Sequence, residues 1–143
     1  MVRVCHVVVT FKKINEIDDS LLTFSVIIAK FQKKYVLVKH KKRTTLEFPG
    51  GKREINEDIL ECAKRELYEE TGALNYTIYP LCVYGVSKTN TYGLLCEAEI
   101  VEFGNLPYSE IEKVVLLDTF PNNWTYPDIQ PYLLQYYNEN GRL

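Results

Sequence analysis

The stretch that most constrains this chain runs from Gly51 to Ala73, GKREINEDILECAKRELYEETGA, and is entered through Phe48-Pro49-Gly50-Gly51. Asp58 is a good helix N-cap, and Glu61 three residues later gives a capping-box pattern. No glycine or proline interrupts Ile59 to Glu70, and Gly72 stands where a left-handed residue ends a helix. The spacing therefore predicts a helix over 59–70. At about 100° per residue, Leu60, Ala63 and Leu67 share a stripe that should face a core. Glu66, Glu69 and Glu70 form a neighbouring stripe at i, i+3 and i+4, so their carboxylates converge. Like charges at that spacing repel by about 0.2–0.5 kcal/mol per pair. A plain solvated face would mix lysines among the acids, so the cluster points to a cation.

Hard oxygen ligands on one face suit Mg2+ or Mn2+, and Mg2+ commonly bridges a few carboxylates to a substrate phosphate. Gly50 and Gly51 permit close backbone approach to a ligand. Lys52 follows them as a point charge for phosphate.

These residues resemble the Nudix family. Its box, G-x5-E-x7-R-E-U-x-E-E-x-G-U with U aliphatic, is matched by Gly51, Glu57, Arg65, Glu66, Leu67, Glu69, Glu70, Gly72 and, at the small end of the last class, Ala73. The preceding Leu46-Glu47-Phe48-Pro49-Gly50-Gly51-Lys52 is similar to the MutT-like branch. The resemblance implies an α/β Nudix fold, a mixed sheet sandwiched between helices. It also implies hydrolysis of a nucleoside diphosphate linked to another group, with water and a divalent metal. Glu66, Glu69 and Glu70 are the implied metal ligands and catalytic residues. The carbonyl of Gly50 is a further ligand candidate, and Glu57 reaches the metal through water. Arg65 is implied as an orienter paired with a box glutamate, and Gly51 and Lys52 as substrate contacts.

MutT-like sites often gain a distal glutamate after a long hairpin. Glu110 and Glu112 lie in that region, with Glu110 the choice, while a solvated loop acid is an equally open reading. Purine recognition falls late in such chains, where Asn122, Asn123, Trp124 and Asp128 stand here. Asparagine offers donor and acceptor to a base edge, yet Asn-Asn before Trp is also ordinary turn chemistry. His6 and His40 are read as structural.

The resulting expectation is a Mg2+-dependent pyrophosphohydrolase that releases a nucleoside monophosphate and pyrophosphate, with oxidised purine nucleotides such as 8-oxo-dGTP as candidate substrates. Hydrolysis of ADP-ribose, nucleotide sugars or dinucleoside polyphosphates is a second reading. A non-catalytic nucleotide sensor is a third, and the intact acidic set argues against it.

The 143 residues suit one Nudix domain, 1–143, able to bury about two thirds of its chain surface. A formal charge of −2 speaks against broad polyanion binding, so a small nucleotide rather than a nucleic-acid polymer is the expected partner. Cys5, Cys62, Cys82 and Cys96 show no CxxC and no histidine at zinc spacing, and read as core thiols. No apolar run approaches the roughly 20 residues of a membrane span, and no charged leader precedes an apolar core, so the expected location is the cytoplasm.

Along the chain, Val2 to Phe11 reads as a strand and Lys12 to Ser20 as a loop. Leu21 to Phe31 and Tyr35 to His40 read as a hairpin about Gln32-Lys33-Lys34. Lys39 to Arg43 is a basic loop, either simply solvated or turned toward phosphate. Leu74 to Val86 and Thr91 to Phe103 form a second hairpin about Ser87–Asn90, and Lys113 to Leu117 a short strand. Ile129, Tyr132, Leu133 and Tyr136 give helical spacing to a closing helix over 128–138.

Overall fold

The computed structural model describes residues 7–143, which build one mixed seven-stranded sheet flanked by two α-helices. The strands are β1 (Val9–Lys12), β2 (Leu22–Phe31), β3 (Lys34–His40), β4 (Gly50–Lys52), β5 (Ala73–Val86), β6 (Thr91–Phe103) and β7 (Ile111–Leu117). Two helices accompany them, α1 (Ile59–Thr71) and α2 (Gln130–Asn140). The order across the sheet is β1-β5-β6-β2-β3-β7, with β4 paired to β2 off that path. β2 and β6 run parallel, and the other pairs are antiparallel.

The two-residue period of β2 and β3 builds two cores, one on each face. Ile27, Ala29 and Val36 point to one side, where Ile59, Cys62, Ala63 and Leu67 of α1 meet them. Ile28 and Leu37 point to the other, where Leu133, Leu134 and Tyr137 of α2 close the sandwich with Phe48 and Tyr84. Fully burying each such Leu or Ile is worth roughly 1.5–3 kcal/mol.

α1 occupies its expected place. The Asp58 carboxylate accepts the Leu60 N–H at 3.3 Å, capping the first turn. Gly72 ends the helix at φ 75°, where a Cβ would lie 2.9 Å from the Asn105 carbonyl oxygen. The left-handed conformation and the crowding both require glycine.

Elsewhere the boundaries differ from expectation. The first strand begins at Val9 and ends at Lys12, and residues 1–6, which include Cys5 and His6, lie outside the described residues. Gly50–Lys52 form a short strand, because these residues take up the free edge of β2 from Phe24 to Val26. β7 begins at Ile111 rather than at Lys113, paired with His40 across a bulge. α2 starts at Gln130, since Pro131 favours the first turn of a helix over its interior. Its buried face is Gln130, Leu133, Leu134 and Tyr137, one position round from the expected stripe, and Tyr132 is left exposed. Tyr136 instead stacks on Phe11, with ring centroids 4.4 Å apart. Cys62, Cys82 and Cys96 are buried free thiols, and burial pushes Cys82 up to about 12.

Candidate active site

β4 divides the site into two compartments. On the α1 side stand the box carboxylates. On the α2 side a cleft of about 610 Å³ opens between β2, the end of β5 with the turn after it, and the segment entering α2.

Both sides depend on the paired glycines. A Cβ on Gly50 would lie 2.3 Å from the Ser25 carbonyl oxygen, so only glycine lets β4 pair with β2 there. A Cβ on Gly51 would lie 2.5 Å from the Glu66 carboxyl carbon, so glycine also admits that side chain against the strand. The Gly50 N–H donates to Glu70 Oε1 at 2.9 Å, tying β4 to the last turn of α1.

Arg65 organises the acids. Its Nε donates to Glu57 Oε2 at 2.6 Å and its Nη2 to Glu57 Oε1 at 2.9 Å. Its Nη1 donates to Glu66 Oε1 at 2.7 Å and to Glu69 Oε2 at 3.3 Å. Nη2 also reaches the Lys52 carbonyl at 3.1 Å. The hydrogen bond from Arg65 holds the Glu57 carboxyl at about 2. Burial pushes Glu66 up despite the same guanidinium. Glu70 is pushed up to about 8, by burial first and then by the charges on Glu66, Glu47 and Glu69, against the opposing Gly50 N–H. One arginine therefore serves several acids, and Glu70 is left without a guanidinium partner. Among the described residues no three His, Cys, Asp or Glu side chains already form a closed metal cage, because Arg65 stands among Glu57, Glu66 and Glu69.

The other expected residues fall in different places. Lys52 is exposed at the end of β4 and lines the cleft with Gly50 and Gly51. Asp128 lines it too. Asn122 and Asn123 do not, and the Asn123 side-chain amide donates to the Thr44 carbonyl at 2.9 Å, a loop-anchoring role. Trp124 packs on Phe48, with ring centroids 5.8 Å apart. Glu110 is exposed just before β7, with its carbonyl accepting the Lys41 N–H at 2.8 Å. Glu112 pairs with Lys39 at 2.9 Å.

Three residues join the site without having been assigned to it from the sequence. Glu47, only 6% exposed, lines the cleft and accepts from Arg43 Nη1 at 2.8 Å. His40, read as structural, has its Nε2 3.5 Å from Glu47 and 3.7 Å from Glu70. Gln130 caps the inner end of the cleft, its side-chain oxygen accepting the Phe48 N–H at 2.8 Å. The available signal was an acid directly before Phe-Pro-Gly-Gly, a position where a loop glutamate has little structural reason to be buried.

A family model described as the NUDIX domain matches residues 19–94, more than half of the chain. Among solved structures, a mutant of the Bacillus subtilis pyrophosphohydrolase BsRppH is 27% identical, with a TM-score of 0.76 over 93% of this chain and 90% of that one. A NUDIX hydrolase from Nitrosomonas europaea is 26% identical, with a TM-score of 0.66 over 81% of this chain and 69% of its own. An ADP-ribose pyrophosphatase from Streptococcus suis shares the fold at 14% identity and a TM-score of 0.65, over 81% of this chain and 88% of that one. No curated protein matches the chain by sequence.

Proposed function

The chain belongs to the NUDIX family and is a hydrolase of phosphorus-containing acid anhydrides; from that premise we infer that it is a MutT-like pyrophosphohydrolase cleaving a nucleoside triphosphate to a monophosphate and pyrophosphate. The observation that carries this reading is the junction at β4. A cleft of nucleoside size and a wall of crowded carboxylates meet at Gly50, Gly51 and Lys52. A base and sugar in the cleft place their phosphates at the glycine strand. The 27% identical relative bears the name pyrophosphohydrolase, which supports release of pyrophosphate.

NUDIX hydrolases generally use divalent metals such as Mg2+. The donor set here fits one. Glu66 and Glu70 are half-buried and buried carboxylates whose charge is disfavoured as they stand, and Gly51 leaves room for Glu66 that any Cβ would fill. Glu66, Glu69, Glu70 and the Gly50 carbonyl are the proposed ligands of Mg2+ or Mn2+, with Glu57 linked through water. When bound, such an ion neutralises phosphate oxygens and lowers the pKa of water.

The chain's own residues supply position and proton traffic. Lys52 takes phosphate charge from the cleft side. Arg65 fixes Glu57 and Glu66, which is an orienting role. Glu110, whose carbonyl accepts the Lys41 N–H just past β3, and the box glutamates are the candidates for general base. Asp128 faces the base from the α2 side, and Asn123 anchors that segment to the Thr44 carbonyl.

The test is product analysis over a panel of ordinary and oxidised dNTPs, ADP-ribose, a nucleotide sugar and a dinucleoside polyphosphate with Mg2+ or Mn2+. Pyrophosphate plus a monophosphate from one triphosphate is expected, and 8-oxo-dGTP as the fastest substrate would assign an oxidised-purine role. Cleavage of ADP-ribose or a dinucleoside polyphosphate alone contradicts the triphosphate reading.

A further inference from the structure

We propose that Arg43 is a specificity-determining positioning residue, which holds the Tyr126 ring as a wall of the cleft for the nucleobase while its other end is locked on Glu47. The proposal rests on the nucleotide reading of the cleft given above.

Arg43 lies in the segment between β3 and β4. That segment is zipped to the one preceding α2 by bonds that do not involve the Arg43 side chain. The Leu46 N–H donates to the Asn123 carbonyl and the Thr125 N–H to the Leu46 carbonyl, each at 2.9 Å. The Thr125 hydroxyl donates to Thr45 Oγ1 at 2.7 Å. The backbone is thus fixed independently, and the guanidinium is free for another task.

Its surroundings define that task. The Arg43 Cζ lies 5.9 Å from the Tyr126 ring centroid, within cation–π range, and Nη1 donates to Glu47 Oε1 at 2.8 Å. Tyr126 and Glu47 both line the cleft, whereas Arg43 does not. The cation therefore contacts Tyr126 from a position that does not line the cleft, while Tyr126 itself keeps surface facing the cleft for a ligand. Tyr126 is 39% exposed, and an exposed loop tyrosine without such backing rotates among several positions. A ring held in one position loses less freedom when a planar base stacks on it. Arginine suits the position because its planar fork can stack on a ring and bond a carboxylate together, which lysine cannot do.

The pairing with Glu47 gives a rival role. Glu47 is 3.5 Å from His40, which is 3.7 Å from Glu70, so Arg43 could instead act on the chemistry through that chain. The two roles differ in the kinetic constant they move.

The experiment compares Arg43→Ala, Arg43→Lys, Tyr126→Ala and the Arg43→Ala/Tyr126→Ala double variant, using whichever nucleotide the unaltered protein turns over fastest. Choosing the substrate by turnover keeps the result independent of whether that nucleotide is a triphosphate, which the panel decides separately. Arg43→Ala is expected to raise KM about tenfold with kcat within about twofold. Arg43→Lys should recover little of that loss, and Tyr126→Ala should raise KM to a similar extent. The double variant should be no worse than the poorer single one, because both remove the same wall. Arg43→Ala should lower the melting temperature, because it strips the nearly buried Glu47 of its partner, whereas Tyr126→Ala leaves that pair intact and tests the wall on its own. Unchanged KM, a fall in kcat at constant KM, full rescue by lysine, or additive losses in the double variant would each overturn the proposal.

Discussion

Glu70 sits in an environment at odds with its charge. Its carboxyl is pushed up to about 8, and the unfolded chain has the ordinary value near 4.5. Between those values the folded metal-free protein holds a proton that the unfolded chain has released. Stability from this group is fully present below about 4.5 and is lost as pH rises through about 8. Glu57 works in the opposite sense, since Arg65 holds it at about 2; its contribution is present above 4.5 and lost as pH falls toward 2. Metal-free protein should therefore melt at lower temperature as pH is raised from 5 to 8, a window that Glu70's shift defines. Glu70→Gln should flatten that slope, and saturating Mn2+ should also flatten it by stabilising the ionised form. Melting curves at several pH values, with and without the cation, check this. An unchanged slope in Glu70→Gln would place its origin in another group.

Among the elements, the β2–β3 hairpin turns against local preference. Gln32 at φ 49° and Lys33 at φ 69° take the two left-handed positions of a tight turn without a glycine or asparagine between them. The turn hand that matches strand twist demands positive φ at both positions, so the pairing of Ala29 with Val36 and Phe31 with Lys34 imposes it. Gln32→Asn with Lys33→Gly should raise stability by about 1 kcal/mol, since both residues adopt this conformation more readily. A shift of the urea midpoint upward at constant slope is the expected reading, and no shift would mean that the strand pairs already absorb the strain. α1 shows the reverse situation at its ends, where the local preferences agree with the fold. Asp58, the uninterrupted run of residues and Gly72 all specify one helix, and it was readable at both ends.

For the molecule as a whole, legibility followed the range of the interactions. The Gly51–Ala73 stretch carries its structure in short-range chemistry, so α1 and the hairpin β5–β6 could be read directly. The parallel pairing of β2 with β6 joins residues such as Val26 and Leu95, far apart in sequence, and no local pattern encodes it. The family resemblance implies a mixed sheet between helices but no strand order. Periodicity sets the face of α2 one position away because Tyr132 counts as apolar yet stays exposed, while Leu134 and Tyr137 join the buried core. Gln130 is buried for a reason invisible in the sequence, namely a bond to the Phe48 backbone across the fold. Glu47 and His40 were missed likewise, since their partners come together only when β3, β4 and α1 pack. The two-compartment site is thus a property of the sandwich: the sheet separates the α1 acids from the α2 cleft, and β4 is where they communicate.

The central claim is that the α1 carboxylates hold the divalent cation on which hydrolysis depends. Glu69→Gln tests it most directly, because the substitution is nearly isosteric and the side chain is 47% exposed, with only its 3.3 Å contact to Arg65 to lose. Turnover of the best panel nucleotide with Mg2+ should fall at least about a hundredfold, with the melting temperature of the metal-free protein nearly unchanged. Near-normal turnover in a folded Glu69→Gln protein would contradict the account and move the cation away from α1.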